Sequence, residues 1–403
     1  MKCQICASEN LEEFLNLGMH PPPLVLRPLD QLEQPDTRYP LALFRCGACG
    51  LIQIGYTVDP KLLFIDYAYT SGASKSFSNH LQELSESVTQ KFSLTQGDLV
   101  VDIGSNDGTS LQGYLKNGVK ALGVEPSKVA KFAIDNGVPT VNKFFDLETA
   151  KSITKSSGKA RIVTAFNVFA HVDKLDSFMK GVEVLLAQDG VFLTESHYLL
   201  DLVQKNEFDA VYHEHLRYYS LRTISNLLHL YGLEVFDAER IPTHGGSIRV
   251  YACRKKSKPI SPGVESLLKL ENEEGLDKMD TYRDFAARVE AFRINLKILL
   301  WKLKGEHKRI VGISAPARSS TLLNFCGLGP DILDYVVETS PLKIGKYTPG
   351  TYIPIVDENR FFEDEPDYAL LLSWHLAEDL IPKLKEGGFS GRFIVPLPRL
   401  EIR

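Results

Sequence analysis

Residues 208–220 read FDAVYHEHLRYYS, two histidines around a glutamate within a run of tyrosines. Three chemistries suit such a segment: a metal cage, a piece of hydrogen-bonded core, or a base that takes a proton from carbon. His213 and His215 stand two apart, a spacing that puts both on one side of a strand or loop but not on one face of a helix, and the helical HExxH spacing of metalloproteases is absent. A neutral imidazole near its own pKa is a good proton acceptor, whereas core packing rarely gathers His-Glu-His between two aromatic runs. Which chemistry applies depends on what the rest of the chain holds beside it.

Four of the six cysteines lie near the amino terminus, as Cys3-x-x-Cys6 and Cys46-x-x-Cys49, with Cys253 and Cys326 isolated. Two CxxC claws supply the four thiolates of a closed tetrahedral zinc site, which has no open coordination position and is therefore structural rather than catalytic. Such a site would pin residues 1 to about 55, which include the proline-rich HPPPLVLRP and could hardly fold unaided.

A third set of residues follows a strand. In LVVDIGSNDGTSLQGYL, residues 99–115, a β-branched strand over 99–103 runs into a turn over 104–108 and an amphipathic helix from Thr109. Gly104 and Gly108 are expected to let the backbone pass close to a ligand. A second strand ends at Glu125, where a doubly wound sheet offers an acid to a ribose. The loop is Asp102-x-Gly104-x-x-x-Gly108, not the GxGxxG of dinucleotide binders. Strands continue in ARIVTAFNVFAHV (160–172) and DGVFLTES (189–196), on either side of a helix over 173–187, and LEVFDAERI and SIRVYACRK read as an antiparallel end of the sheet. Ligands of such sheets sit at the carboxyl ends of strands, where Gly104, Glu125, Asn167, Glu195 and His244 fall.

The elements that position these residues make an α/β chain. At 403 residues it is too long for one core, so two or three domains are expected. A net charge of -5 gives no nucleic-acid footprint, and no segment has the roughly 18 uncharged apolar residues of a membrane span. MKCQICASEN lacks the apolar stretch of a secretory signal, so a cytoplasmic location is expected. Residues 261–305 have helical spacing interrupted at Gly275 and read as long helices joining domains, their charges solvated.

The glycine loop with its acid resembles motif I of class I S-adenosylmethionine-dependent methyltransferases. Taken with the paired CxxC, YHEH and HGGSIRVY, the whole chain resembles the nucleotide-sugar C-methyltransferases. That resemblance implies a zinc-binding module and lid over 1–75, a Rossmann-like methyltransferase domain over 76–256, a helical linker over 257–306 and a Rossmann-like domain over 307–403. Its implied cofactors are S-adenosylmethionine, held by Asp102, Gly104, Ser105, Asn106, Asp107, Gly108, Glu125, Pro126 and Asn167, and structural zinc on Cys3, Cys6, Cys46 and Cys49. Its implied reaction is methyl transfer to C3 of a 4-keto sugar carried on a nucleoside diphosphate, through an enolate. His215 matches the general base, Tyr212 its partner near the keto oxygen, and His171 a further active-site histidine. Glu214 matches an acid that orients the sugar or an imidazole, and a carboxylate there would raise a histidine's pKa. His213 is read as structural.

Substrate groups are expected at Glu195 and His244 and at a lid tyrosine in DYAYTSGASKSF (66–77), Tyr69 with Tyr67 as its alternative. GISAPARSSTLLNFCG (312–327) and SPLKIGKYTPGTYIPI (340–355) resemble motifs of the family's third domain and offer Arg318, Ser319, Lys343, Lys346 and Tyr347 to the phosphates or base. Ser314 stands where the family commonly has glycine. Partners are thus a nucleoside-diphosphate keto sugar, no nucleic acid and no membrane, for a monomer or weak dimer. Rival readings are O- or N-methylation, isomerisation of a nucleotide sugar, or a non-catalytic nucleotide-binding protein.

Overall fold

The computed structural model describes residues 1–65, 69–73 and 75–403, without the side chains of Ala73 and Ser76; the alternative lid residue Tyr67 lies outside the described residues. Three sheets organise the chain. The first is antiparallel, with strands Leu11–His20, Tyr39–Cys46, Ile52–Ile54 and Arg217–Tyr218 in that spatial order. Its fourth strand comes from the tyrosine run immediately after His215, so the cysteine-bearing module and the YHEH segment share one sheet.

The second sheet has seven strands, in the order Leu233–Ile241, Ser247–Arg254, Leu186–His197, Ala160–Phe166, Leu99–Ile103, Lys120–Val124 and Thr140–Val141. The last five are mutually parallel, and Leu233–Ile241 and Ser247–Arg254 add antiparallel, as their alternation indicated. Every residue of Leu99–Ile103 is buried, as a central parallel strand covered on both faces requires.

The third sheet has six strands, in the order Ile355–Asp357, Val336–Glu338, Ile310–Ile313, Tyr368–Leu371, Arg392–Val395 and Glu401–Ile402, all parallel except the last. Helices Pro262–Glu273 and Met279–Gly305 precede it, separated around Gly275, whose φ of +69° favours glycine. The longer helix is more than a solvated connector. It buries Tyr282, Phe285, Val289, Phe292, Leu296, Leu300 and Leu303, and its side chains meet Phe14, Phe208 and Phe325 around it. No helix among the described residues is long and apolar enough to cross a membrane.

Candidate active site

The four amino-terminal cysteines converge, their sulfurs all within 4.8 Å of one another. Cys3 Sγ lies 3.5 Å from Cys49 Sγ, and Cys6 Sγ lies 3.6 Å from Cys46 Sγ, so each claw reaches across to the other. Sulfurs on a tetrahedral zinc would be about 3.8 Å apart, given Zn–S bonds near 2.3 Å, so the donor set fits structural zinc.

A cavity of about 710 Å³ opens at the carboxyl ends of the central strands. Its cofactor side includes Gly104, Asn106, Glu125, Pro126 and Asn167, with Phe144, Phe145 and Asp146 beside them. Glu125 is 6% exposed; its Oε2 accepts Asn106 N–H at 3.0 Å and its Oε1 accepts Ser127 N–H at 2.8 Å, which aims the carboxylate, and no cation pairs with it among the described residues. A carboxylate free of counter-cations beside apolar walls is the donor set for a ribose diol and an adenine, so the residues present fit S-adenosylmethionine.

The glycines also answer to packing. A Cβ on Gly104 would lie 2.3 Å from Val168 Cγ2, and one on Gly108 would lie 3.0 Å from both Ala133 Cβ and Val138 Cγ2. Packing against the protein's own side chains, together with φ of +71° and +78°, demands glycine at both positions, and Gly104 also lines the cavity. Asp102, Ser105, Asp107 and Gly108 stand behind the cavity wall. Asp102 is buried and accepts from Thr164 Oγ1 at 2.6 Å, and desolvation pushes its pKa up to about 7. Asp107 Oδ2 accepts Gly72 N–H at 2.8 Å, and Asn106 Oδ1 accepts Ser71 N–H at 2.9 Å. These bonds dock the segment carrying Tyr69 on the glycine loop, with Tyr69 in the cavity wall and burial lifting its phenol to about 12.

His171, Tyr212 and His215 line the same cavity. The His215 ring centre is 4.0 Å from Tyr212, 5.0 Å from His171 and 5.1 Å from His197. His215 Nδ1 lies 2.8 Å from the Ala210 carbonyl oxygen, which can only accept, so Nδ1 carries the hydrogen and the lone pair of the neutral ring is on Nε2. Burial first, then the neighbouring His171, holds the His215 pKa well below its ordinary value. Glu214 is absent from the cavity wall and does not raise that imidazole; after burial, its charge is the largest influence pushing the Tyr212 phenol well above its usual pKa. His213 points elsewhere, edge-on to Tyr39 at 5.8 Å. The spacing would put both histidines on one side of a strand, but residues 212–214 form a turn, which sends them apart.

The substrate groups divide likewise. His244 lines the cavity at φ +56°, its pKa lowered to about 4 by burial. Glu195 is sealed beneath, accepting from Arg249 Nε at 2.5 Å and paired with His80 Nε2 at 3.0 Å, because its position on the strand turns it into the sheet rather than the mouth. Arg318 reaches the wall, but Glu207 Oε2 at 3.3 Å and Asp209 Oδ2 at 3.4 Å already balance its charge. Lys343 also reaches it, with its ammonium donating to the Ala315 carbonyl at 2.9 Å and to Glu338 at 3.1 Å. Ser319 donates to the Pro316 carbonyl instead, and Tyr347 pairs its backbone with Arg27; neither lines the cavity, nor does Lys346. Sequence reasoning missed His80, Phe145, Asp146, His197 and His375. Only the aromatic-acid run FFD after a strand offered a signal, the histidines being single residues scattered along the chain.

Family comparisons agree with this layout. A zinc binding domain matches residues 3–64, a methyltransferase domain residues 77–238, and the C-methyltransferase C-terminal domain residues 242–398. C-methyltransferase NovU of Streptomyces niveus is 34% identical over 400 residues, covering 98% of this chain and 95% of its own. Among solved structures, PH0226 protein of Pyrococcus horikoshii OT3 is 15% identical, covering 49% of this chain and 97% of its own, with a TM-score of 0.38. Magnesium protoporphyrin IX methyltransferase of Synechocystis PCC 6803 with bound SAH is 15% identical, covering 44% of this chain and 83% of its own, with a TM-score of 0.35. Identity sustained from end to end of both chains, across all three matched regions, places the protein in the C-methyltransferase family, as an S-adenosylmethionine-dependent enzyme with an amino-terminal zinc-binding domain.

Proposed function

We propose that the protein methylates C3 of a nucleoside-diphosphate 4-keto sugar, with His215 as the base that forms the enolate. The observation that carries this reading is the fixed tautomer of His215. With Nδ1–H spent on Ala210, the Nε2 lone pair belongs to a ring that lines the same cavity as Asn106 and Glu125. A carbon beside a ketone becomes a nucleophile only on losing its proton, so a neutral, oriented imidazole is the group the chemistry requires. The depressed pKa keeps that imidazole unprotonated at neutral pH. Tyr212, held protonated by burial and by the charge of Glu214, retains its hydrogen as a donor for the enolate oxygen.

When bound, the cofactor supplies an already activated methyl group, so the protein's task is alignment. Glu125 and Asn106 fix one partner, and His215 and Tyr212 the other, in one enclosure. Nearly all of Arg318's charge is spent inside the protein, so the diphosphate is expected to lie nearer the exposed Lys61 and Lys174 of the same wall. O- or N-methylation would need no carbon base, and a non-catalytic binder would not need the oriented ring.

The test is a panel of dTDP, GDP and CDP 4-keto sugars with methyl-labelled S-adenosylmethionine. His215→Gln is expected to lose at least about a thousandfold in kcat while cofactor affinity stays within about threefold. Label recovered on oxygen or nitrogen, or undiminished turnover in the variant, would overturn the reading.

A further inference from the structure

The carbonyl that fixes His215 belongs to a 3-10 turn, Phe208–Ala210, with Ala210 N–H bonded to Glu207 O at 3.0 Å and Val211 N–H to Phe208 O at 3.0 Å. That turn does not stand alone. Asp209, fully buried, accepts from the Trp374 indole N–H at 2.7 Å and faces Arg318 Nε at 3.4 Å. Arg318 in turn stacks over the Trp374 ring, 5.0 Å from its centre, and lies against His375 at 3.1 Å. Thr321 Oγ1 donates to the Val211 carbonyl at 2.6 Å, one residue beyond the turn. Helix Ala317–Cys326 and the Trp374–Leu376 turn, which follow the adjacent central strands Ile310–Ile313 and Tyr368–Leu371 of the carboxyl-terminal sheet, thus grip the mount of the ring from outside the methyltransferase sheet.

Two buried carboxylates against one guanidinium are an expensive way to join two domains. Replacing a buried ion cluster with well-packed apolar side chains is often neutral or stabilising. What apolar contacts cannot supply is direction. A hydrogen bond from a rigid indole to one carboxylate oxygen sets where Asp209 sits, and with it the heading of the next carbonyl along the chain.

We propose that Asp209, anchored by Trp374 and Arg318, is a positioning residue for His215, fixing the turn whose Ala210 carbonyl holds the ring in its Nδ1–H tautomer. The reasoning rests on the reading of His215 as base, but the tautomer can be measured without any substrate. Long-range proton–nitrogen NMR of full-length, zinc-loaded protein labelled with [15N]histidine, with His215 assigned by its loss in His215→Gln, reports which nitrogen carries hydrogen. Wild type is expected to show only Nδ1–H at His215. In Asp209→Asn, which keeps the shape of the side chain, and in Trp374→Phe, which removes the donor together with part of the ring under Arg318, the Nδ1–H population is expected to fall by at least half, with thermal unfolding confirming a folded chain.

An unchanged Nδ1–H signal in either folded variant would overturn the positioning role. With a substrate in hand, both variants are expected to lose about a hundredfold in kcat, the size of loss that a small misplacement of a reacting group brings, with KM and cofactor affinity within threefold. A raised KM at unchanged kcat would also overturn it. Turnover that survives His215→Gln while the tautomer shifts as described would instead overturn the base assignment and leave the positioning intact.

Discussion

The central and carboxyl-terminal sheets solve one local problem in the same way and then part. In each, a buried strand runs into a loop and a helix, and the neighbouring parallel strand leads to a glutamate that accepts a backbone N–H from the loop and others from just beyond itself. Glu125 takes Asn106 and Ser127; Glu338 takes Ala315 at 3.1 Å and Thr339 at 2.9 Å. The loop residues Asn106 and Ser314 even share a positive φ, 52° and 69°. The difference is Lys343, whose ammonium sits on Glu338 and on the Ala315 carbonyl, where a ribose would need the acid. One sheet presents an acid without a cation among the described residues, and the other has filled its own with a lysine. On the proposed reading, the cofactor goes to the first because fold alone does not make a site.

That contrast can be broken by substitution. The largest effect is expected from Glu125→Ala, which should weaken S-adenosylmethionine binding by a hundredfold or more in calorimetry, since two charge-assisted hydrogen bonds are worth about 3 kcal/mol or more. Glu338→Ala should leave that affinity within about twofold. Equal losses in the two variants would show that the sheets are not specialised as described.

Acid should separate the sheets next. His171 and His244, with pKa values lowered to about 4, bind protons more readily unfolded than folded. Their stability contribution is whole above about 6.5 and is lost as pH falls from there toward 4, at about 1.4 kcal/mol per histidine per pH unit. Asp102, raised to about 7, works in the opposite direction and offsets one of them, gaining as pH falls below 7. His197 and His215 are lowered as well, whereas His375 is the one such histidine following the carboxyl-terminal strands. Hydrogen exchange at pH 5 should accordingly rise first in the central sheet; uniform rise would refute the histidines as the cause.

Lys343→Met should cost about 2 kcal/mol in denaturant unfolding, because it leaves Glu338 without its cation in a mostly buried site. Adding Glu338→Gln, which removes the charge but keeps an oxygen for the backbone N–H groups, should recover most of that loss. The smallest effect belongs to Ser314→Gly, which relieves a left-handed non-glycine residue and should stabilise the protein by about 0.5–1 kcal/mol.

Features encoded by local spacing were legible in the sequence. The CxxC claws and the strand-loop-acid unit are gathered as the spacing implied, whereas of the His-Glu-His run only His215 reaches the cavity. What escaped depends on which side of a strand a residue faces and on partners remote in sequence. Glu195 was placed at the right end of its strand, but Arg249 and His80, which claim it, come from a distant strand and helix. Lys343 and Arg318 do reach the cavity wall, but carboxylates left out of the sequence reading balance their charge. For Lys343 the partner was close by, in VVETSPLK, an acid ending a strand five residues earlier. For Arg318 no local pattern names Glu207 or Asp209.

Strand Ile52–Ile54 ends the stretch of chain that carries the zinc ligands, yet its edge is closed by Arg217–Tyr218 from far along the chain. During synthesis the metal module therefore emerges with one strand unpaired, and it stays so until most of the methyltransferase domain has been made. A chain cut short before Arg217 would leave the edge of Ile52–Ile54 open to pairing with another chain.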